Sequence, residues 1–126
     1  MWRFEACRGR PGDAGYVTAE AAVVLPVLVV FTGMLLWGLM TAAAQIRCVD
    51  AARAGARAAA RSEPPEAAMA AARSAGPPGA KVVLRREGDL VRVRVAARSL
   101  GPGRLAGLLS VPVGADAVAL VEEAVR

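Results

Sequence analysis

Residues 16–46 read YVTAEAAVVLPVLVVFTGMLLWGLMTAAAQI, and this stretch decides the fold. Its one charged residue is Glu20, and residues 21–46 carry no charge. As a helix with a rise of about 1.5 Å per residue, residues 21–46 would extend about 39 Å, whereas about 20 apolar residues cross a bilayer core. The stretch therefore predicts a membrane-spanning helix. Pro26 lacks a backbone N–H and predicts a kink in the first third of that helix.

The sequence on either side of this run differs in character. Residues 1–15 are polar and of mixed charge, and four residues argue against regular structure there: Gly9, Pro11, Gly12 and Gly15. Residues 47–61, RCVDAARAGARAAAR, are almost all strong helix formers. They predict that the helix continues beyond the membrane.

Two stripes run along this continuation. One stripe is basic and recurs every four residues: Arg53, Arg57 and Arg61. The other consists of small residues at the same spacing: Ala51, Gly55 and Ala59. The sequence leaves two interpretations open, a solvated arginine face on an alanine-rich helix, or a smooth stripe on which neighbouring helices approach closely.

The following residues predict a second, shorter helix. SEPP at 62–65 ends the long helix, because a residue before proline disfavours helical geometry. A short helix is predicted over 65–74, and GPPG at 76–79 ends it.

The rest of the chain predicts strands. KVVLRR at 81–86 and LVRVRVAAR at 90–98 flank Glu87-Gly88-Asp89, which predicts a hairpin with a three-residue loop. Residues 99–110 predict a loop, with one helical turn at 104–109. Residues 111–125 fit both a strand and a helix, and a third strand is favoured. The predicted fold class is α+β, a long N-terminal transmembrane helix followed by a small antiparallel sheet, in three segments: 1–15, 16–62 and 63–126.

Composition argues against several functions. The chain has no histidine and two cysteines, Cys7 and Cys48, on opposite sides of the apolar run. A Cys/His metal site and a histidine-based triad cannot be built from this inventory, and no G-x-S-x-G motif occurs. The net charge is +5, but the arginines are scattered without interleaved aromatic residues. We therefore expect no enzyme activity, no cofactor, no metal and no nucleic-acid partner, and a free Cys48 that could cross-link two subunits.

The entry to the apolar run carries the functional signal. Gly15 is followed by Tyr16, and Glu20 stands at the fifth position after the glycine. This arrangement resembles the signal of type IV prepilins, and Arg3, Arg8 and Arg10 supply a basic leader. The resemblance implies that a prepilin peptidase cleaves after Gly15, and that Glu20 pairs with the new α-amino group of Tyr16 on a neighbouring subunit. The alternative is that Glu20 stabilises the helix start, near the positive end of the helix dipole.

A narrower resemblance follows from EAAVVLPVL at 20–28, the long Ala/Arg helix and the small β-rich tail. Together they resemble the TadE-like family, whose members are minor pilins or pseudopilins of the tight-adherence (Flp) type IV pilus machinery. This resemblance implies a pilin-like, single-pass membrane protein with a cytoplasmic N-terminus and an extracytoplasmic C-terminal domain. It implies four partners: the prepilin peptidase, other pilins, the pilus assembly platform and the lipid bilayer.

Two alternatives stay open at this point. Ala42-Ala43-Ala44 before Gln45 resembles a secretory signal-peptide site, and cleavage after Ala44 would release a small soluble protein. A membrane protein with an unrelated binding role is the other. The charges near the apolar run slightly favour the reverse orientation, because four arginines follow it, at 47, 53, 57 and 61, and three precede it.

Overall fold

The structure is a computed structural model that describes residues 11–101, 103–105 and 107–122. It separates into two compact units, Met1–Leu35 and Leu36–Arg126. The first element, α1 (Pro11–Ala60), contributes residues to both units.

In the first unit, the described residues are helical from Pro11 onward. The expectation of irregular structure up to Gly15 is therefore wrong for residues 11–15, and residues 1–10 lie outside the described residues. Gly12 and Gly15 follow within the same helix, which glycine weakens but does not prevent.

The apolar side chains of this unit face outward. Large hydrophobic residues from Tyr16 to Leu35 are exposed, and none of them is in the buried core. The part of α1 over Gly15–Ala60 is long and apolar enough to cross a membrane. A core helix of a soluble protein would be mostly buried, and the apolar stretch of this helix is not. α1 also continues through Pro26, where the kink stays a prediction.

The second unit packs the C-terminal part of α1 and a second helix on a sheet. After α1 come α2 (Pro65–Ala75), β1 (Lys81–Glu87), β2 (Leu90–Ser99), a 3-10 turn (Gly103–Leu105) and β3 (Val111–Leu120). The strands form an antiparallel sheet in the order β1-β2-β3. This confirms the predicted α+β class, with a long N-terminal apolar helix before a small antiparallel sheet.

The turns between these elements have identifiable causes. Ser62 has φ 59° and ends α1, while the Glu63 N–H donates to the Ala58 carbonyl at 3.3 Å. This is the hydrogen bond of a Schellman cap, in which a left-handed residue closes the helix. In the hairpin, Glu87 pairs with Leu90, so the loop has two residues and not the three that were predicted. Gly88 has φ 62°, the conformation that a type II′ turn requires at its first central position.

The third strand settles the ambiguous segment at 111–125 as far as it is described. β3 pairs with β2 along its whole length, from Val111 with Ser99 to Leu120 with Leu90. Alternate β3 residues face the core, as the strand interpretation predicted: Val113, Ala115, Ala117 and Ala119. The predicted strand extended too far, because β3 ends at Leu120 and residues 121–122 are not part of it. Residues 123–125 of the prediction lie outside the described residues.

The core lies between the inner face of the sheet and the two helices. Valines of β2 provide its centre: Val91, Val93 and Val95. The helices contribute mainly alanine, which has no side chain beyond Cβ and lets a helix approach a sheet closely. This part of α1 runs along the whole sheet, from one end to the other. Thr41 contacts Ser99 at the end of β2, and the Ala60 carbonyl accepts from the Glu122 N–H just after β3, at the opposite end of the sheet.

Candidate functional site

The predicted processing site lies in the first unit, on the opening turns of α1. Tyr16 and Glu20 are four residues apart, so their side chains lie on the same face of the helix. Both are exposed, and Glu20 forms no salt bridge within the described residues. Among the described residues, therefore, no ion pair neutralises the one charge between Tyr16 and Ile46.

The part of the chain that the structure describes gives Gly15 no steric role. A Cβ atom built on Gly15 would meet nothing within 4 Å, and the same holds for Gly12. In contrast, a Cβ on Gly55 would lie 3.0 Å from the Ala72 Cβ and 3.1 Å from the Val93 Cγ1. Gly55 is thus required by packing, whereas packing among residues 11–101, 103–105 and 107–122 does not require glycine at position 15.

The small-residue stripe of α1 lies inside the second unit. Ala51, Gly55 and Ala59 are all buried. Gly55 approaches α2 and β2, and a Cβ on Gly76 would lie 3.4 Å from the Ala51 Cβ. The helix that approaches this stripe closely is therefore α2 of the same chain. The basic stripe remains outside, since Arg53, Arg57 and Arg61 are exposed.

Gln45 joins α1 to the edge of the sheet. Its Nε2 donates to the Gly114 carbonyl at 2.7 Å, and its Oε1 accepts from the Gly114 N–H at 3.0 Å. The side-chain amide thus pairs with β3 as a neighbouring strand would, at an edge whose backbone groups would otherwise be open to another chain. A Cβ on Gly114 would lie 2.9 Å from the Val95 carbonyl oxygen, so glycine is needed at this position.

A second polar contact lies one helical turn before Gln45. The hydroxyl groups of Thr41 and Ser99 are 3.0 Å apart, and the Thr41 hydroxyl is also 3.0 Å from the Trp37 carbonyl. Ser99 is buried, and it ends β2. This contact fixes one end of the sheet beside the C-terminal end of the apolar run. The Nε1 atom of Trp37 is buried there without a hydrogen-bond partner within the described residues, and nothing in the structure explains it.

Cys48 belongs to the core and not to the surface. Its side chain is 0% exposed and its thiol is free. The expected cross-link between two Cys48 residues does not fit this position, because the two sulfur atoms could not meet without opening both cores.

The outer face of the sheet is polar and basic. Arg94 and Asp116, which are paired across β2 and β3, form two hydrogen bonds, Nε to Oδ1 at 2.9 Å and Nη2 to Oδ2 at 3.0 Å. The hydrogen bond from Arg94 lowers the pKa of Asp116 below its usual value. Beside this pair lies a shallow groove of about 250 Å³, whose lining includes Val83, Glu87 and three arginines. Within the described residues no cluster of His, Cys, Asp and Glu is suited to hold a metal ion.

Several of these contact residues were not predicted from the sequence. Thr41, Gln45, Ser99 and Gly114 form their contacts over 58 or 69 residues of sequence separation, and no local pattern reports such a contact. Gly114 alone carries a local signal, because a glycine within a strand often marks a close approach of another backbone.

Comparison with known proteins gives two matches. The family model of the TadE-like proteins matches residues 15–57, about a third of the chain. Residues 15–57 are thus TadE-like, which confirms the family resemblance over that segment. The chain is also 40% identical over 80 residues to a protein named apoptosis inhibitor Rv3655c from Mycobacterium tuberculosis (strain ATCC 25618 / H37Rv). That alignment covers 64% of this chain and 63% of the relative, so the chain spans less than two thirds of the relative's length. No solved structure matches the chain.

Proposed function

We propose that this TadE-like chain is a minor pilin or pseudopilin of a tight-adherence pilus system, processed by a prepilin peptidase after Gly15. One observation carries the proposal: the exposed apolar stretch of α1 directly follows Gly15, with Tyr16 and Glu20 at its start, and the TadE-like match begins at the same glycine. Other pilins and the assembly platform are the partners of such a subunit, and the bilayer holds it until assembly.

The two glycines near the start of α1 support cleavage after Gly15, because they make this part of the helix easier to unwind. A peptidase needs an extended backbone, and α1 is helical at this point, so the first turns must unwind. Gly12 and Gly15 each make the helix about 1 kcal/mol less stable than alanine would. Among the described residues, no side chain or neighbouring element lies within 4 Å of a Cβ built on either glycine, so tertiary packing there does not oppose the unwinding.

The signal-peptide alternative receives less support from the second unit. Cleavage after Ala44 would cut α1 between Thr41, which contacts Ser99, and Gln45, which pairs with Gly114. Ala44 itself packs against the core. The product would thus lose a contact at the end of the sheet and place a new charged terminus beside packed side chains.

The N-terminus of the mature chain, purified from the membrane and from the soluble fraction, tests the proposal. Mass spectrometry should find a chain that begins at Tyr16. A chain that begins at Gln45 would establish a secretory signal peptide, and an unprocessed chain that begins at Met1 would favour an unrelated membrane protein.

A matched pair of glycine variants makes the test sharper. Gly15→Leu should leave a full-length precursor in the membrane, because the leucine side chain obstructs the peptidase but fits the fold. Gly12→Leu is the control, since it lies on the same helix with the same open space and should be processed normally. Equal processing of both variants would contradict cleavage after Gly15.

A further inference from the structure

We propose that the loop between β2 and β3 is a second contact with the bilayer, in which exposed leucines enter the headgroup region and arginines bind lipid phosphates. The proposal rests on the membrane-spanning role of the apolar run. The loop would give the second unit a site that binds the surface of an anionic membrane.

The position of the loop is the first argument. Its two ends meet at the pair Ser99 and Val111, and Ser99 contacts Thr41. The opposite end of the sheet lies near Ala60, where the Glu122 N–H donates to the Ala60 carbonyl. The loop thus leaves the sheet at the end where α1 changes from packed to apolar and exposed.

The residues of α1 at this level have the character of a membrane interface. Leu36, Leu39 and Met40 are exposed although they precede Thr41 by only a few residues. Trp37 follows Leu36 and is half-buried, with its Nε1 atom inside the unit, and tryptophan is enriched where a membrane helix meets the headgroups. The loop and the interface are therefore at the same level of the second unit.

The composition of the loop is the second argument. Residues 100–110, LGPGRLAGLLS, contain four leucines, one arginine and no acidic residue. Leu108 is 83% exposed and Leu100 is 62% exposed. In water, exposure of these two leucine side chains does not stabilise the loop. At a headgroup boundary the leucine side chains would be removed from water, and burial of apolar surface is favourable.

The charges of this end complement an anionic surface. Arg104 in the loop and Arg98 near the end of β2 are exposed, and neither forms a salt bridge within the described residues. At the opposite end of the unit, Glu87 precedes the hairpin turn, Asp89 lies in it and Glu122 follows β3. Asp50 and Asp116 lie between the two ends. An arginine near an anionic bilayer is attracted by its surface potential, and the guanidinium matches the geometry of a phosphate.

Lipid quenching of site-specific fluorophores tests the proposal on the full chain. A cysteine is introduced singly at Leu108, at Asp89 or at Phe31, in a background that carries Cys7→Ser. Cys48 is fully buried and stays unlabelled, which labelling of the background chain checks. The chain is reconstituted in vesicles of phosphatidylcholine with phosphatidylglycerol, which contain lipids with a nitroxide near the headgroup or deep in the acyl chain.

The three positions separate this proposal from the membrane role itself. The label at Phe31 should be quenched by the deep nitroxide. Absence of quenching at this position would refute the membrane span. The label at Leu108 should be quenched by the shallow nitroxide several-fold more than the label at Asp89, which marks the far end of the sheet. Equal weak quenching at Leu108 and Asp89, with Phe31 quenched, would overturn the loop contact alone.

The arginine contribution has its own control. In a chain with the label at position 108, Arg104→Gln should make loop insertion about fivefold less favourable in anionic vesicles, the equivalent of about 1 kcal/mol. It should have little effect in phosphatidylcholine alone. A loop that no nitroxide quenches, but that a partner pilin protects from labelling, would be a protein interface and would overturn the proposal.

Discussion

Glu20 is the one charged residue between Tyr16 and Ile46, and no salt bridge within the described residues compensates its charge. It is exposed on α1, although it precedes the longest apolar stretch of the chain. A carboxylate at the edge of a bilayer core is costly and ordinarily has a partner. Processing after Gly15 would create an α-amino group on Tyr16 and thus supply such a partner on a neighbouring subunit.

Substitution of Glu20 distinguishes a pairing role from a helix-start role. Removal of one member of a buried charge pair typically costs about 3–5 kcal/mol, whereas a charge at a helix start contributes roughly 1 kcal/mol or less. Glu20→Ala and Glu20→Gln should therefore be inserted and cleaved at near-normal levels, yet fail to co-purify with the other pilins. Affinity purification of the variant from the membrane measures this.

The charge itself is tested by Glu20→Asp. This variant keeps the carboxylate and should retain part of the assembly that Glu20→Gln loses. Normal pilus assembly with Glu20→Gln would reduce Glu20 to a helix-start residue and leave the pilin proposal dependent on cleavage alone.

Single residues also show what the sequence could and could not predict. The alternation of Val91, Val93 and Val95 with arginines predicted a half-buried strand, and these valines form the centre of the core. The pairing of Gln45 with Gly114 could not be predicted, because it depends on where a helix and an edge strand meet in space. The same holds for Cys48, whose burial depends on α1 lying against the sheet.

At the scale of elements, α1 carries two different surfaces. Toward its N-terminal part the helix exposes leucine and valine, and beyond Thr41 it buries alanine, glycine and Cys48 against the sheet and α2. The repeated spacing of Ala51, Gly55 and Ala59 predicted a smooth packing face. It did not determine whether the neighbouring helix would come from another subunit or from the same chain.

A leucine at Gly55 tests the packing of this face. Gly55→Leu forces a side chain against Ala72 and Val93 at distances already at the limit for a Cβ, so it should destabilise the second unit by about 1–3 kcal/mol or more. Thermal unfolding of the detergent-solubilised chain, followed by circular dichroism, should show a lower midpoint. Protease resistance of the sheet should fall in parallel.

Gly33→Leu is the matched control, since it lies on the same helix and a Cβ there meets nothing within 4 Å. It should leave the midpoint unchanged or raise it slightly, because leucine favours helix more than glycine does. If both variants lower the midpoint equally, the close approach of α1 to α2 is not what stabilises this unit.

The sheet shows why the last strand was harder to predict than the first two. Residues 81–98 contain an alternating pattern and a glycine turn, two independent local signals. Residues 111–120 are mostly small, and only Asp116 among them is charged. Val113, Ala115 and Ala117 fit one face of a strand, but Val118 and Val121 also fit one face of a helix. Pairing with β2, which is a long-range contact, decides the matter in favour of a strand.

At the scale of the whole molecule, the second unit depends on α1. The sheet has three strands, and α2 has 11 residues, too little to cover one sheet face without the alanine-rich part of α1. Residues 41–60 of α1 are therefore an integral part of the folded second unit. A TadE-like segment that ends at residue 57 thus includes most of the helix that the small domain packs on.

The orientation of the chain in the membrane is the property on which two rules disagree. Four arginines follow the apolar run and three precede it, which by count slightly favours a cytoplasmic C-terminal domain. The count applies to short loops, however, and long segments cross the membrane largely regardless of their charge. The segment after residue 46 has 80 residues and forms a packed unit, so we expect it outside the cytoplasm, as a processed leader also requires.

Reporter fusions after Arg126 measure this orientation. A reporter that is active only outside the cytoplasm should be active, and a cytoplasmic reporter at the same position should be inactive. Replacing the leader arginines, at 3, 8 and 10, with glutamine is the control, and it should lower the fraction of correctly oriented chains if these charges hold the leader inside. Stable expression with the opposite reporter pattern would mean that Arg47, Arg53, Arg57 and Arg61 dominate. In that orientation Gly15 would lie outside the cytoplasm, where the peptidase could not cleave after it. The chain could then not be a processed pilin.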